Sequence, residues 1–167
     1  MADPDGIIVI VGVYDSVEAG DEDLTAIKLA RAEHFIGDYE AALFEKTADG
    51  EVKIVNTDAT QRTWGAKVGI VTGAVVGLIF PPSIIGMAAA GAGVGALAGN
   101  FMRGMKRDDV KAMGEMLDEG QAGLVVVGYT TIQEGMERYM KKAAKIMKKE
   151  VDMQADELKK AIDEAVK

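Results

Sequence analysis

The chain has 167 residues, a net charge of -8 at pH 7 and no cysteine. This length favours a single compact domain. The acidic balance argues against nucleic acid as a partner, because phosphate backbones attract basic surfaces. The lack of cysteine excludes disulfides, thiolate metal ligands and cysteine nucleophiles. Hydrophobic residues make up 49% of the chain but aromatic residues only 5%, so small and aliphatic side chains must fill the core.

The N-terminal part of the chain predicts a strand, a helix and a hairpin. The apolar, β-branched run from Ile7 to Val13 favours a buried central strand. A helix is expected to follow, with its N-cap at Asp15 or Ser16 and its end near Gly37. Two further runs alternate between polar and apolar residues around an Asp-Gly turn signal, which predicts a β-hairpin: Tyr39–Lys46, Asp49-Gly50 and Glu51–Thr57.

A regular series of glycines dominates the middle of the chain. No Asp, Glu, Lys, Arg or His occurs from Val68 to Met102. Residues four apart share one face of a helix, so this spacing gives each helix a bare stripe along which backbones can approach closely. Two helices are predicted, Trp64–Phe80 and Ser83–Met102, with Pro81 and Pro82 forming the tip between them. We call this series the glycine ladder: Gly65, Gly69, Gly73, Gly77, Gly91, Gly95 and Gly99.

The C-terminal part of the chain predicts a return to strands and amphipathic helices. In order, these are a helix at Lys106–Leu117, a strand at Gly123–Tyr129, a helix at Thr130–Lys149, a short edge strand at Glu150–Met153 and a helix at Asp156–Lys167. The whole order predicts an α+β fold, a ferredoxin-like βαββαβ sandwich interrupted by a glycine-zipper helical hairpin and followed by C-terminal helices. Residues 1–167 then form one domain, with the sandwich and C-terminal helices at 7–60 and 105–167 and the inserted glycine-rich hairpin at 64–103.

The order of these parts resembles a known family. The opening strand IIVIVGVYDS, the turn EKTADGEVKIVNTDAT, the glycine-rich double arm and the closing strand AGLVVVGY are similar to bacterial proteins grouped as domain of unknown function 1269. Those proteins are usually described as predicted membrane proteins. The resemblance covers nearly the whole chain, and it implies a fold and an association with a bacterial membrane rather than an activity.

The glycine ladder carries the functional prediction. A glycine in a helix interior costs about 1 kcal/mol relative to alanine, so the ladder is stable only where close packing offsets that cost. We expect the hairpin to pack on itself and on copies from other subunits, within or against a bilayer. The sequence leaves open the alternative of a hairpin buried inside a soluble oligomer, with no contact to lipid.

Cations flank the predicted hairpin, whereas its tip carries no charge. This distribution predicts that both ends lie on the cytoplasmic side of the membrane, with the tip inserted or crossing. Alternatively, the cations only solubilise a buried hairpin. Trp64 is equally consistent with an interfacial anchor and with a core residue. The flanking, interfacial charges are Arg62, Lys67, Arg103, Lys106 and Arg107.

We therefore predict a non-enzymatic, self-assembling protein associated with the cytoplasmic side of a bacterial membrane. Its expected partners are other copies of itself and membrane lipid, and not nucleic acid. No catalytic residue, cofactor or metal site is predicted, because no convergent set of acid, base and nucleophile is visible, and the single histidine, His34, is interpreted as part of a helix end. Two alternatives remain: a soluble cytoplasmic shell, ring or filament with its hairpins packed inward, and a membrane-tethered small-molecule sensor domain.

Overall fold

The computed structural model describes residues 6–59, 70–80, 99, 101–118, 121–129 and 133–165. Residues 64–69 of the first predicted hairpin helix, most of the second helix and the proline tip between them lie outside these ranges. The described elements are, in chain order, β1 (Gly6–Tyr14), α1 (Val17–Ala32), β2 (Tyr39–Lys46), β3 (Val52–Ala59), α2 (Ile70–Ile79), α3 (Arg107–Glu115), β4 (Ala122–Tyr129), α4 (Gln133–Met136), a 3-10 turn (Glu137–Tyr139), β5 (Lys145–Gln154) and α5 (Ala155–Ala165).

The strands of the described chain form one five-stranded antiparallel sheet in the order β3-β2-β4-β1-β5. On β1, Ile7 lies opposite Tyr129 of β4 on one side and opposite Val151 of β5 on the other. The predicted hairpin of β2 and β3 is confirmed, with Gly50 at a φ of 84° in its turn. Glycine adopts this left-handed conformation without steric cost, which is why the Asp-Gly signal located the turn correctly.

The α+β class is confirmed, but the ferredoxin-like strand order is not the one observed. A split βαβ arrangement would place β3 beside β1, parallel to it. Instead, β1 has antiparallel neighbours on both edges, β4 and β5, along almost its whole length. A strand has only two hydrogen-bonding edges, so β5 leaves no place for β3 beside β1. β3 therefore lies at the far edge of the sheet, next to β2.

The sheet separates two hydrophobic clusters. Successive side chains of a strand point to opposite faces, and β1 follows this rule: Ile7, Val9, Val11 and Val13 belong to the first cluster, and Ile8, Ile10 and Tyr14 to the second. Helices α2, α3 and α5 contribute to the first cluster. Helix α1 and the segment from Met136 to Met140 contribute to the second. The described chain is thus a three-layer arrangement with the sheet in the middle.

The helix predicted for Thr130–Lys149 is wrong. The described part of that segment is a short helix, a 3-10 turn and a loop, after which β5 begins at Lys145. Lysines and methionines recur there at helical spacing, but alternation also places Val151 and Met153 on one face, where both are buried with Leu158 of α5. Pairing with the free edge of β1 decides between these patterns, because unpaired backbone groups along an apolar central strand are costly.

Helix α1 begins and ends at signals within its own sequence. The hydroxyl of Ser16 accepts a hydrogen bond from the N–H of Ala19 at 3.2 Å, as an N-cap does. At the other end, the N–H of Phe35 donates to the carbonyl of Ala30 at 2.9 Å across His34, which has a φ of 62°. This is a Schellman-type end with histidine where glycine is usual. The helix therefore stops before the expected Gly37, and the single histidine lies at its end.

Candidate functional site

The glycine ladder is the candidate functional site, and the structure describes three of its seven glycines. Gly73 and Gly77 lie in α2, while Gly99 is helical and lies near a helical segment at 101–104. Arg103, Lys106 and Arg107 are described as well. The other predicted site residues lie outside the described part of the chain: Gly65, Gly69, Gly91, Gly95, Pro81, Pro82, Arg62 and Lys67.

Helix α2 is built into the first hydrophobic cluster. Val71, Ala74 and Val75 have no exposed surface. Phe80, which follows the helix, packs edge to face on Phe44 of β2 with the ring centroids 5.5 Å apart. The helix has ten residues and no charged residue, and a helix that is apolar on every side is stable only when buried. Among the described residues, no helix is both long enough and apolar enough to span a bilayer.

Glycines outside the ladder make the closest backbone contacts of these helices. A Cβ atom added at Gly114 of α3 would lie 2.9 Å from the carbonyl oxygen of Ile79, at the end of α2. A Cβ atom added at Gly104 would lie 2.6 Å from Cγ1 of Val151 and 3.2 Å from the carbonyl oxygen of Asp152. Such distances are shorter than van der Waals contact, so only glycine allows α3 to reach α2 and the 101–104 segment to reach β5. The sequence pattern did not indicate either Gly104 or Gly114, because neither belongs to a regular series of glycines.

The ladder glycines behave differently. A Cβ atom added at Gly73 or at Gly99 would meet no other heavy atom of the described chain within 4 Å. Gly73 is itself buried, and the segments at 60–69 and 81–98 lie outside the described part of the chain. Packing within the described chain therefore does not explain why these two positions are glycine.

A carboxylate from another element caps the N-terminus of α2. Glu40 of β2 is 2% exposed, and its Oε1 accepts hydrogen bonds from the N–H groups of Val71 at 3.1 Å and Thr72 at 3.0 Å. The hydroxyl of Thr72 donates to the same oxygen at 3.0 Å. The first N–H groups of a helix have no partner within it, and its N-terminal end favours a negative charge. Sequence reasoning missed Glu40, whose one signal is a charged residue inside an otherwise apolar stretch of β2.

The three cations predicted at the exit of the hairpin lie together on the surface. Arg103, Lys106 and Arg107 are exposed around the turn that leads into α3. Met102 beside them is 46% exposed. We call these four residues the basic turn. Positive charges around an exposed apolar side chain form a surface that suits contact with an anionic, partly apolar partner.

A cleft of about 670 Å³ lies between the basic turn and β5. Its walls carry charges of both signs, and Lys149 pairs with Asp109 at 3.3 Å within it. Glu150 and Asp152 of β5 add further negative charge to the lining. Because the charges balance, the cleft selects neither anions nor cations.

Two buried tyrosines have clearly shifted pKa values. Burial raises the pKa of Tyr14, and the nearby Asp23 carboxylate adds to the effect, although the Tyr14 hydroxyl has no hydrogen-bond partner in the described chain. Burial also raises the pKa of Tyr39, whose hydroxyl donates to Asp58. Both phenols therefore stay protonated at neutral pH, where neither can act as a general base. Among the described residues, no three acidic or histidine side chains are placed to hold a metal ion.

The fold and the site define a three-layer α+β protein with a glycine-rich helix inside its core. The family model described as "Protein of unknown function (DUF1269)" matches residues 66–163, which is more than half of the chain. The chain therefore belongs to this family. The match confirms the family, whereas the opening strand and the turn that also carried the resemblance lie before the matched residues. A search of curated proteins finds no match, and a search of solved structures finds none.

Proposed function

We propose that this chain is a non-enzymatic, self-assembling protein, associated with the cytoplasmic side of a bacterial membrane, whose glycine ladder forms the contact between copies. The observation that carries the proposal is that a Cβ atom added at Gly73 would meet no other heavy atom of the described chain within 4 Å. A glycine there costs about 1 kcal/mol relative to alanine, yet no other atom of the described chain requires the space. A ladder from a second copy would use it, since bare helix faces let two backbones approach closely.

Gly114 supports this interpretation by contrast. Its missing Cβ makes room for the carbonyl of Ile79, so packing within the chain offsets the cost of that glycine. Gly73 has no comparable contact within the described chain. A glycine whose cost is not offset within the described chain is a candidate for contact with another copy.

The basic turn supports the association with a membrane. Each cation near an anionic bilayer surface contributes about 1 kcal/mol of attraction, and a partly exposed methionine can enter the headgroup region. The turn follows the ladder closely in sequence, so both can lie at one side of an assembly. The three cations of the turn are followed in sequence by two acidic residues, Asp108 and Asp109, so the turn itself carries a net positive charge although the whole chain is acidic.

The native mass of the protein, measured by light scattering with and without detergent, tests the assembly. We expect the wild type to form particles larger than a monomer, and Gly73→Leu, alone or together with Gly69→Leu and Gly95→Leu, to reduce them to monomers. Ala32→Leu is the matched control, because it introduces the same side chain at an exposed helical position outside the ladder. Circular dichroism establishes that each variant is folded. If folded Gly73→Leu has the same particle mass as the wild type, the glycine ladder does not form the contact between copies.

Sedimentation with lipid vesicles tests the membrane association. We expect binding to vesicles that contain anionic lipid, weaker binding to neutral vesicles, and a loss of binding in the double variant Lys106→Glu, Arg107→Glu. The double variant Lys141→Glu, Lys145→Glu makes the same charge change at two other exposed lysines. Equal losses in both variants would mean that net charge, and not the basic turn, governs binding.

A soluble assembly is the second candidate, and the burial of α2 favours it. The described part of the ladder lies against the sheet, where Val71, Ala74 and Val75 are inaccessible to lipid. In this alternative the ladders pack inward between subunits and no bilayer is involved. A large particle that forms without detergent and does not sediment with vesicles would select this candidate over the membrane-associated one.

A further inference from the structure

We infer that Glu40 is a latch that holds α2 against the sheet and thereby limits how much of the glycine ladder is available to other copies. The inference rests on the proposed function and adds a means of regulating it. It concerns a contact inside one subunit, between strand β2 and the first described helix of the ladder.

The latch is a buried, charge-assisted contact. Glu40 is 2% exposed, and a single carboxylate oxygen accepts three hydrogen bonds within 3.1 Å from Val71 and Thr72. A buried carboxylate is tolerated only where donors surround it, and hydrogen bonds to charged groups are stronger than those between neutral groups. Thr72, itself 0% exposed, is the one polar side chain of α2. Within the described part of the chain, the polar side-chain contacts of α2 therefore lie at its first turn.

In the described part of the chain, the cap of α2 comes from another element. Position 69, immediately before the helix, is a glycine, so it has no side chain that could accept the first N–H groups. Glu40 supplies that acceptor from β2. In an ordinary helix, such as α1 with Ser16, the N-cap residue travels with the helix. Here the cap remains on the sheet, so α2 loses it whenever the helix moves away.

This arrangement couples the position of α2 to its stability. While α2 is docked, its first turn is capped and its valines are buried. When it leaves the sheet, it exposes apolar surface and also loses its cap, and contact with another ladder must compensate for both. At the opposite end of α2, Ile79 lies against Gly114 and Phe80 packs on the ring of Phe44, and neither contact involves a charged side chain. We therefore expect α2 to open from its first turn when the latch is weakened.

Hydrogen exchange measured by mass spectrometry, on the full chain at a concentration where it is monomeric, tests the latch. In Glu40→Gln and in Thr72→Val, we expect the amides of residues 70–79 to exchange about tenfold faster than in the wild type, because a hydrogen bond to a charged group is lost or weakened. Thr72→Ser keeps the hydroxyl donor and should exchange as the wild type does. Glu45→Gln is the matched control, since it removes the same charge from the same strand at a partly exposed site.

Exchange in β1 and β4 serves as the internal reference, and should not change in any variant that remains folded. Glu40→Ala removes the carboxylate entirely and is a stronger test. If Glu40→Ala does not fold, Glu40→Gln and Thr72→Val decide whether the latch exists. Unchanged exchange at 70–79 in both Glu40→Gln and Thr72→Val would overturn the latch, whatever the protein does at higher concentration.

The dependence of native mass on protein concentration tests the regulatory part of the inference. If the latch limits access to the ladder, Glu40→Gln should reach half-assembly at a concentration several-fold lower than the wild type. If hydrogen exchange at residues 70–79 is faster in Glu40→Gln but the concentration of half-assembly is unchanged, Glu40 does not control assembly. If the wild type and the variants remain monomers at every concentration, the proposed assembly itself fails, and the exchange rates decide separately whether Glu40 holds α2.

Discussion

The helices α1 and α2 cover opposite faces of one sheet, but they are specified in different ways. Helix α1 carries its own N-cap, Ser16, and buries one stripe that includes Leu24 and Ile27, while its outer face is polar. Helix α2 has no charged residue and is buried on nearly every side. Its cap is Glu40, which lies on another element. The boundaries of α1 are thus set by residues of α1 and its flanking turns, whereas the capping and burial of α2 depend on other elements of the fold.

The comparison shows which of the two helices could exchange one packing partner for another. A helix with its own cap and an amphipathic face has one stable place, with its apolar stripe on the core. A helix that is apolar all round can be satisfied by the sheet, by a second copy or by lipid, because each of these covers the same surface. Helix α2 is therefore the element whose surroundings we propose can change, and three pairs of substitutions outside the latch sharpen its contrast with α1.

The largest expected effect comes from the buried stripe of α1. Leu24 has no exposed surface, and Leu24→Ala should reduce the free energy of unfolding by about 2–5 kcal/mol through lost burial and the cavity left behind. Leu29 on the same helix is 62% exposed, so Leu29→Ala should change stability by less than about 0.5 kcal/mol. Urea denaturation measures both variants. A small loss in Leu24→Ala would contradict a tightly packed second cluster.

Substitution of two glycines by alanine should have opposite effects on the monomer. Gly114→Ala places a methyl group 2.9 Å from the carbonyl of Ile79 and should destabilise by about 1–3 kcal/mol. Gly73→Ala meets no such obstacle in the described chain and should stabilise the monomer by up to about 1 kcal/mol, through higher helix propensity. Thermal unfolding at low protein concentration measures both. If both variants change the stability of the monomer in the same direction, the ladder glycine Gly73 does not differ from Gly114 in the way proposed.

The smallest of these effects concerns the local cap of α1. Ser16→Ala removes the acceptor for the N–H of Ala19 and should cost about 1 kcal/mol. Ser16→Asp restores an acceptor and places a negative charge at the helix N-terminus, so its stability should match or exceed that of the wild type. Chemical denaturation followed by circular dichroism provides the values. No loss in Ser16→Ala would mean that α1 is held by burial alone.

Local signals in the sequence sufficed for several elements. The Asp49-Gly50 turn, the apolar β1 and β4 and the start of α1 were all predicted, because each depends on residues close to one another in the chain. The end of α1 was missed by a few residues, since His34 rather than a glycine takes the left-handed position. Histidine is a less common residue there, and its sequence context carries no distinctive signal.

Long-range pairing decided the elements that the sequence did not. The segment after Lys145 has lysines at helical spacing and core residues at strand spacing, and only the free edge of β1 selects the strand. The candidate site shows the same division. The glycine ladder was visible as a regular series, but Glu40 and Gly114 each act on a residue of α2 more than thirty positions away in the chain. No spacing rule connects such residues.

The sequence by itself determined the α+β class, the family and the unusual glycine-rich helix, because composition and short-range spacing encode all three. The tertiary structure alone decided the strand order, the burial of α2 on the sheet and the capping of α2 by a carboxylate of β2. The physical reason is that a strand has two edges and a helix N-terminus has unpaired N–H groups, and both take their partners from whatever the fold brings close.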